Sequence, residues 1–131
     1  MSDHSISCTI WNQTTGTMVL AGSQKNSGTN LTVADAASSI GPGVKLENAF
    51  TAWNNAEVGC GGSVTFTMGN PDNVLVIAYN TSHNYYNSYC TPMLRSSSAE
   101  LLGCDAYYCA AADSAVDQSD GVTTTITIYE N

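Results

Sequence analysis

Two strand-like runs joined by one turn constrain this chain more than any other feature. Ser63-Val64-Thr65-Phe66-Thr67-Met68 alternates polar and apolar side chains, and Val74-Leu75-Val76-Ile77-Ala78-Tyr79 is rich in β-branched and aromatic residues. The link between them, Gly69-Asn70-Pro71-Asp72-Asn73, is composed of turn formers. Such a pattern predicts a β-hairpin, because period-two alternation places one set of side chains on a single sheet face.

The same reading extends along the chain. Ile6, Cys8 and Ile10 alternate with Ser7, Thr9 and Trp11, and a turn over 12–16 precedes a strand over 18–21. Ser27-Gly28-Thr29-Asn30 reads as a loop before Leu31 and Val33 in extended spacing. Ile40-Gly41-Pro42-Gly43 is a turn before a strand carrying Val44, Leu46, Phe50 and Ala52. The glycines between Gly59 and Gly62 suit a bulge or a close approach of two backbones. Val122, Thr124, Ile126 and Ile128 share one face of a closing strand over 121–129. One helix is predicted from Ser97 to about Ala112. Ser97 and Glu100 have capping-box spacing, and Leu101, Leu102, Ala106 and Ala110 follow at helical intervals. The expectation is a mainly β chain, a single β-sandwich domain over 1–131 with one short helix packed on a sheet.

Composition narrows the function. Eleven acidic residues stand against Lys25, Lys45 and Arg95, for a formal net charge of -8. Nucleic acid is excluded as a partner, since phosphate neutralisation needs a cationic footprint. Anionic membranes would repel the chain, so any membrane contact must use neutral or zwitterionic lipid. No run is apolar enough to span a bilayer as a helix. The start, Met1-Ser2-Asp3-His4, lacks the basic and apolar regions of a signal peptide. A cytoplasmic or non-classically secreted protein acting at a membrane surface is expected, unless a signal has been removed. The sequons at Asn12, Asn30 and Asn80 are frequent by chance in a chain this rich in Asn, Ser and Thr. Cys8, Cys60, Cys90, Cys104 and Cys109 are odd in number, so at least one stays free or pairs between chains.

Catalytic chemistry finds little foothold. With His4 and His83 as the sole histidines, a zinc site would need unusual partners. Nucleophile-elbow, phosphate-loop and H-E-x-x-H motifs are missing. A Cys60 or Cys90 nucleophile paired with His83 is the remaining option, built from generic residues. No enzyme and no cofactor are expected.

The informative stretch is Asn80-Thr81-Ser82-His83-Asn84-Tyr85-Tyr86-Asn87-Ser88-Tyr89, with three tyrosines in five positions. Tyr107 and Tyr108 add a pair on the predicted helix. Tyrosine rings with wet tips suit half-wet interfaces, can surround a quaternary ammonium and can stack on sugars. They can equally close the end of a sandwich as ordinary core fringe, as Tyr79 and Tyr129 are expected to do.

These segments resemble the actinoporins, pore-forming β-sandwich toxins, from about Ser5 to Tyr129 with small gaps. Ile10-Trp11-Asn12-Gln13-Thr14 leading to Ser27-Gly28-Thr29 is similar to their first strands and S-G-T loop. The hairpin 62–79 is similar to their central strands, Thr81 to Tyr89 to their aromatic loop, and Asp105-Ala106-Tyr107-Tyr108 to the E-L-Y-Y of their second helix. The resemblance implies a pocket for phosphocholine or sphingolipid headgroups. Ser27 would donate to the phosphate, Tyr86, Tyr107 and Tyr108 would surround the headgroup, and Tyr85 and Tyr89 would face the membrane. Thr81 would replace a proline of the pocket wall.

The departures are specific. At most a few residues precede the first strand, where the family carries its amphipathic pore helix. Aromatic-loop tryptophans are tyrosines here, five cysteines are foreign to the pattern, and the chain is acidic. The fungal fruit-body lectins, which share the sandwich and bind glycans, are therefore an alternative, with Asn84 and Asn87 as polar contacts. The aegerolysins, which bind sphingolipid and need a partner protein to make pores, are neighbours too. Assembly with further copies or with a partner pore-forming protein stays open, and a structural or storage role is a third reading.

Overall fold

The structure, a computed structural model, describes residues 5–54, 59–70, 72–81, 88–96, 100–101, 103–117 and 121–131. Its strands are β1 (Ser5–Asn12), β2 (Met18–Lys25), β3 (Asn30–Val33), β4 (Ser39–Ile40), β5 (Lys45–Trp53), β6 (Gly61–Thr67), β7 (Val74–Asn80), β8 (Tyr89–Arg95), β9 (Glu100–Leu101), β10 (Tyr108–Asp117) and β11 (Gly121–Glu130). They form two sheets, one in the order β10-β11-β1-β5-β3 and the other β4-β2-β6-β7-β8-β9. The chain is a β-sandwich.

Alternation decides what faces inward. In β1, Ile6, Cys8, Ile10 and Asn12 are buried while the residues between them are half-exposed. β11 runs parallel beside it and matches Ile6 with Val122 and Ile10 with Ile126, so one register buries both apolar sets. From the second sheet Val64, Phe66, Leu75, Ile77 and Leu94 complete the core. Phe50 and Tyr79 meet between the sheets at 5.4 Å between ring centroids. Each large side chain buried in this way contributes about 1.5–3 kcal/mol of transfer free energy.

The expected hairpin forms from β6 and β7, paired from Gly61 with Asn80 to Thr67 with Val74. The expected helix does not. Among the described residues the one helical element is a 3-10 turn at Asp35–Ser38. The capping-box residues at 97–99 lie outside the described residues. Tyr108–Asp117 is an edge strand, antiparallel to β11 along its whole length. Tyr108 and Ala110 fit a two-residue period as well as a helical one, and strand pairing with β11 buries both. A disulfide between Cys104 and Cys109 closes the loop just before this strand.

The strand directions define two ends. One holds the turns at 13–17, 41–44 and 68–73, the loop at 103–107 and the C-terminus. The other holds the turn at 26–29 and the residues flanking the β5–β6, β7–β8 and β10–β11 connections. At this second end Gly59 has φ +81, and a Cβ there would lie 1.7 Å from the Thr81 carbonyl oxygen. The close backbone approach expected over 59–62 is thereby realised. Gly59→Ala is expected to lose about 4 kcal/mol or more, since it combines a left-handed backbone with a clash against main chain. Gly43→Ala is the matched control, with φ +78 and nothing within 4 Å. Its expected cost is about 1 kcal/mol, and urea denaturation of both proteins reads the difference.

Candidate functional site

The residues singled out from the sequence fall at both ends. Ser27 is exposed in the turn between β2 and β3, and Tyr89 is exposed at the start of β8, where it pairs with Asn80. Thr81 lies at the same end but is buried. Its hydroxyl accepts from the Cys60 amide at 3.0 Å, and its own amide donates to the Cys60 carbonyl at 2.8 Å. Thr81 therefore holds two strand ends together instead of facing a ligand. Tyr85 and Tyr86, with Asn84 and Asn87, lie outside the described residues.

Tyr107 and Tyr108 stand at the opposite end. β8 alone spans about 20 Å from Tyr89 to Arg95, and Tyr108 pairs with Glu130 at the far end of β11. A single headgroup cradle containing Ser27 and the tyrosine pair is corrected on that ground. The pair was expected on a helix packed on a sheet, whereas Tyr108 begins a strand at the other end of the sandwich and Tyr107 directly precedes it. Tyr108 is 7 % exposed, and its hydroxyl oxygen accepts from the Asn70 amide at 2.9 Å. It is a strut beneath the β6–β7 turn.

Around that strut lies a pocket of about 330 Å3 lined by Asn70, Asp72, Asn73, Ser96, Asp105, Ala106 and Tyr107. The β6–β7 turn builds one wall. The Asp72 amide donates to Asn70 Oδ1 at 3.1 Å, and the Asn73 amide donates to the Asn70 carbonyl at 3.0 Å. Asparagine and aspartate hold such turns by bonding their own backbone. Asp105 organises the facing wall. Its Oδ1 accepts from the amides of Tyr107 and Tyr108, both at 2.7 Å, and its Oδ2 accepts from Asn73 Nδ2 at 2.5 Å. Asn131 fastens the loop from behind, with its amide donating to the Tyr107 carbonyl at 3.0 Å.

Two features mark this pocket as more than a surface dent. Asn73 is 1 % exposed, and its Oδ1 has no hydrogen-bond partner among the described residues. A buried carboxamide oxygen left unpaired costs about 1–3 kcal/mol. Tyr107, 56 % exposed, presents its ring at the rim. Among the described residues the lining carries two carboxylates and no basic residue, which suits a neutral polyhydroxyl ligand better than a phosphate. A shallow groove of about 380 Å3 on the outer face of the second sheet, lined in part by Gln24, Ser63, Thr65 and Arg95, has no aromatic side chain among the described residues.

The cysteine nucleophile weighed from the sequence is poorly served. Cys60 is 2 % exposed and burial pushes its thiol up, so it stays protonated near neutral pH. Among the described residues no group of three His, Cys, Asp or Glu side chains could hold a metal ion.

Of the pocket residues, sequence reasoning had named Tyr107 and missed Asn70, Asp72 and Asn73 as site residues. Their Asn/Asp-rich turn was read for its conformation. What it could not reveal was that 105–107 would pack beside it. No protein-family model matches this sequence, and no curated protein matches it.

Proposed function

We propose that the protein is a non-enzymatic glycan-binding module, and that it holds a neutral sugar in the pocket between the β6–β7 turn and the 103–107 loop. The observation that carries this reading is the pairing of a fixed carboxylate–carboxamide frame, Asp105 with Asn73, and an exposed Tyr107 ring. Sugars offer the two matching surfaces, hydroxyls for the frame and an apolar C–H face for the ring. The pocket is at the small end of the range for ligand sites, fit for one terminal sugar unit.

The test is a glycan array followed by calorimetry on the best ligand. Tyr107→Ala should weaken binding at least tenfold while leaving the melting temperature within about 2 °C, because this exposed ring contributes little to the core. Equal affinity of the two proteins would remove Tyr107 from the site. Direct binding of free choline, with no glycan bound on the array, would assign the frame to a cationic headgroup instead.

A second reading rests on a different observation. Trp53 and Tyr89, 40 % and 48 % exposed, share the end that carries Ser27. Exposed aromatics of this kind seat at lipid–water boundaries, so this end is the candidate for phosphatidylcholine or sphingomyelin surfaces. Co-sedimentation with such vesicles should then fall severalfold in Trp53→Ala and stay unchanged in Tyr107→Ala. No sedimentation with either lipid would dismiss this reading and leave the glycan site standing.

A further inference from the structure

Three cysteines carry free thiols, and all are buried. Two of them face each other across the sandwich. Cys8 projects inward from β1, at the centre of the first sheet, and is 0 % exposed; Cys90 projects inward from β8 of the second sheet and is 3 % exposed. Cys8 pairs with Phe50 in the β1–β5 register and Cys90 with Tyr79 in the β7–β8 register, and Phe50 and Tyr79 meet across the core at 5.4 Å between ring centroids. The two cysteines are therefore the neighbours, on inward-facing positions, of a ring pair that already spans the two sheets.

We propose that Cys8 and Cys90 form a disulfide that joins the two sheets through the core. Sandwich domains accommodate such an inter-sheet bridge. The choice of partners follows from strand order. Cys60 precedes β6, and β6 and β8 flank β7 on opposite sides. Two strand spacings separate them, about 9.5 Å, beyond the roughly 7 Å between Cα atoms that a disulfide can bridge. Cys60 is instead engaged by Thr81, with Sγ 3.4 Å from its hydroxyl. Cys104 and Cys109 are already joined.

The oxidant is a small-molecule disulfide such as glutathione disulfide. One thiolate of the pair attacks it and expels one glutathione thiolate, leaving a mixed disulfide. The other cysteine, as thiolate, then displaces the second glutathione and closes the bond. Two protons and two electrons leave the protein with two molecules of glutathione. Full burial shields both sulfurs in the native fold, so the bond forms most readily during folding.

The experiment is to refold the denatured full chain in a buffer of oxidised and reduced glutathione, denature it again, alkylate with iodoacetamide and map the peptides by mass spectrometry. The expected result is one alkylated thiol, Cys60, and a linked peptide pair containing Cys8 and Cys90 that separates on reduction. Three alkylated thiols, or glutathione left on Cys8 or Cys90, would overturn the proposal. A Cys104→Ala/Cys109→Ala double variant isolates the bond in a melting experiment. A bridge closing roughly 80 residues should raise its melting temperature by about 10 °C over the reduced protein. Equal melting temperatures with and without reductant would also overturn the assignment.

Discussion

Asn12→Ala should destabilise the domain by about 4 kcal/mol and lower its melting temperature by more than 10 °C. Asn12 is the last residue of β1 and is 0 % exposed. Its Nδ2 donates to the carbonyl oxygens of Gly16 and Ile40, both at 2.9 Å, and Gly41 at 3.1 Å. Its Oδ1 accepts from the Thr14 amide at 3.0 Å and the Thr14 hydroxyl at 2.7 Å. One carboxamide thereby ties the end of a central strand to the turn that follows it and to the turn before β5. Alanine removes this hub and leaves several buried groups without partners, each costing about 1–3 kcal/mol before relaxation. Thr14→Val removes only the hydroxyl of this network and should cost about 1–2 kcal/mol. Guanidinium denaturation of both variants tests the order. A loss under about 1 kcal/mol for Asn12→Ala would mean that water replaces the carboxamide and that the turns are held by other contacts.

Asn12 also illustrates how sequence and structure divide the information. In the structure the inward alternation of Ile6, Cys8 and Ile10 extends to Asn12, which the residue pattern had assigned to the turn instead. The turn over 12–16 was legible from its residue types. Nothing local could reveal that the side chain would bond residues 40 and 41, since that contact depends on how two distant turns stack at one end. The strands with strong β-branched alternation, β1, β6, β7 and β11, were legible for the same local reason. β10 was not. Its Tyr-Cys-Ala-Ala-Ala start has neither strong alternation nor β-branching, and what makes it a strand is hydrogen bonding to β11. Tertiary pairing overrode a helical spacing built from small residues. This one substitution of strand for helix also moved Tyr107 and Tyr108 away from Ser27. An error in one element became an error in the site, because a binding pocket assembles from several elements.

Asp105→Ala should abolish glycan binding at the β6–β7 pocket, a loss of at least a hundredfold in affinity, and cost about 3 kcal/mol of stability. The carboxylate accepts three hydrogen bonds, two from the amides of the loop that carries Tyr107 and one from Asn73. Hydrogen bonds to a charged acceptor contribute about 1.5–3 kcal/mol each, less where water can take over. Its loss acts on both walls. The Tyr107 ring loses the backbone turn that aims it, and the Asn73 carboxamide, already lacking a partner for Oδ1 among the described residues, loses the one for Nδ2. Asp105→Asn separates shape from charge. Its amide oxygen can still accept from the Tyr107 and Tyr108 amides, and rotation of the Asn73 carboxamide can offer an oxygen to the new NH2 group. Most of the stability should then return, to within about 1 kcal/mol of the parent. If sugar affinity returns with it, the frame acts by positioning Tyr107 and Asn73. If stability returns while affinity stays low, the carboxylate itself accepts from the sugar hydroxyls. Calorimetry and denaturation on the same two preparations distinguish these outcomes. Wild-type affinity in Asp105→Ala would place glycan binding elsewhere on the sandwich.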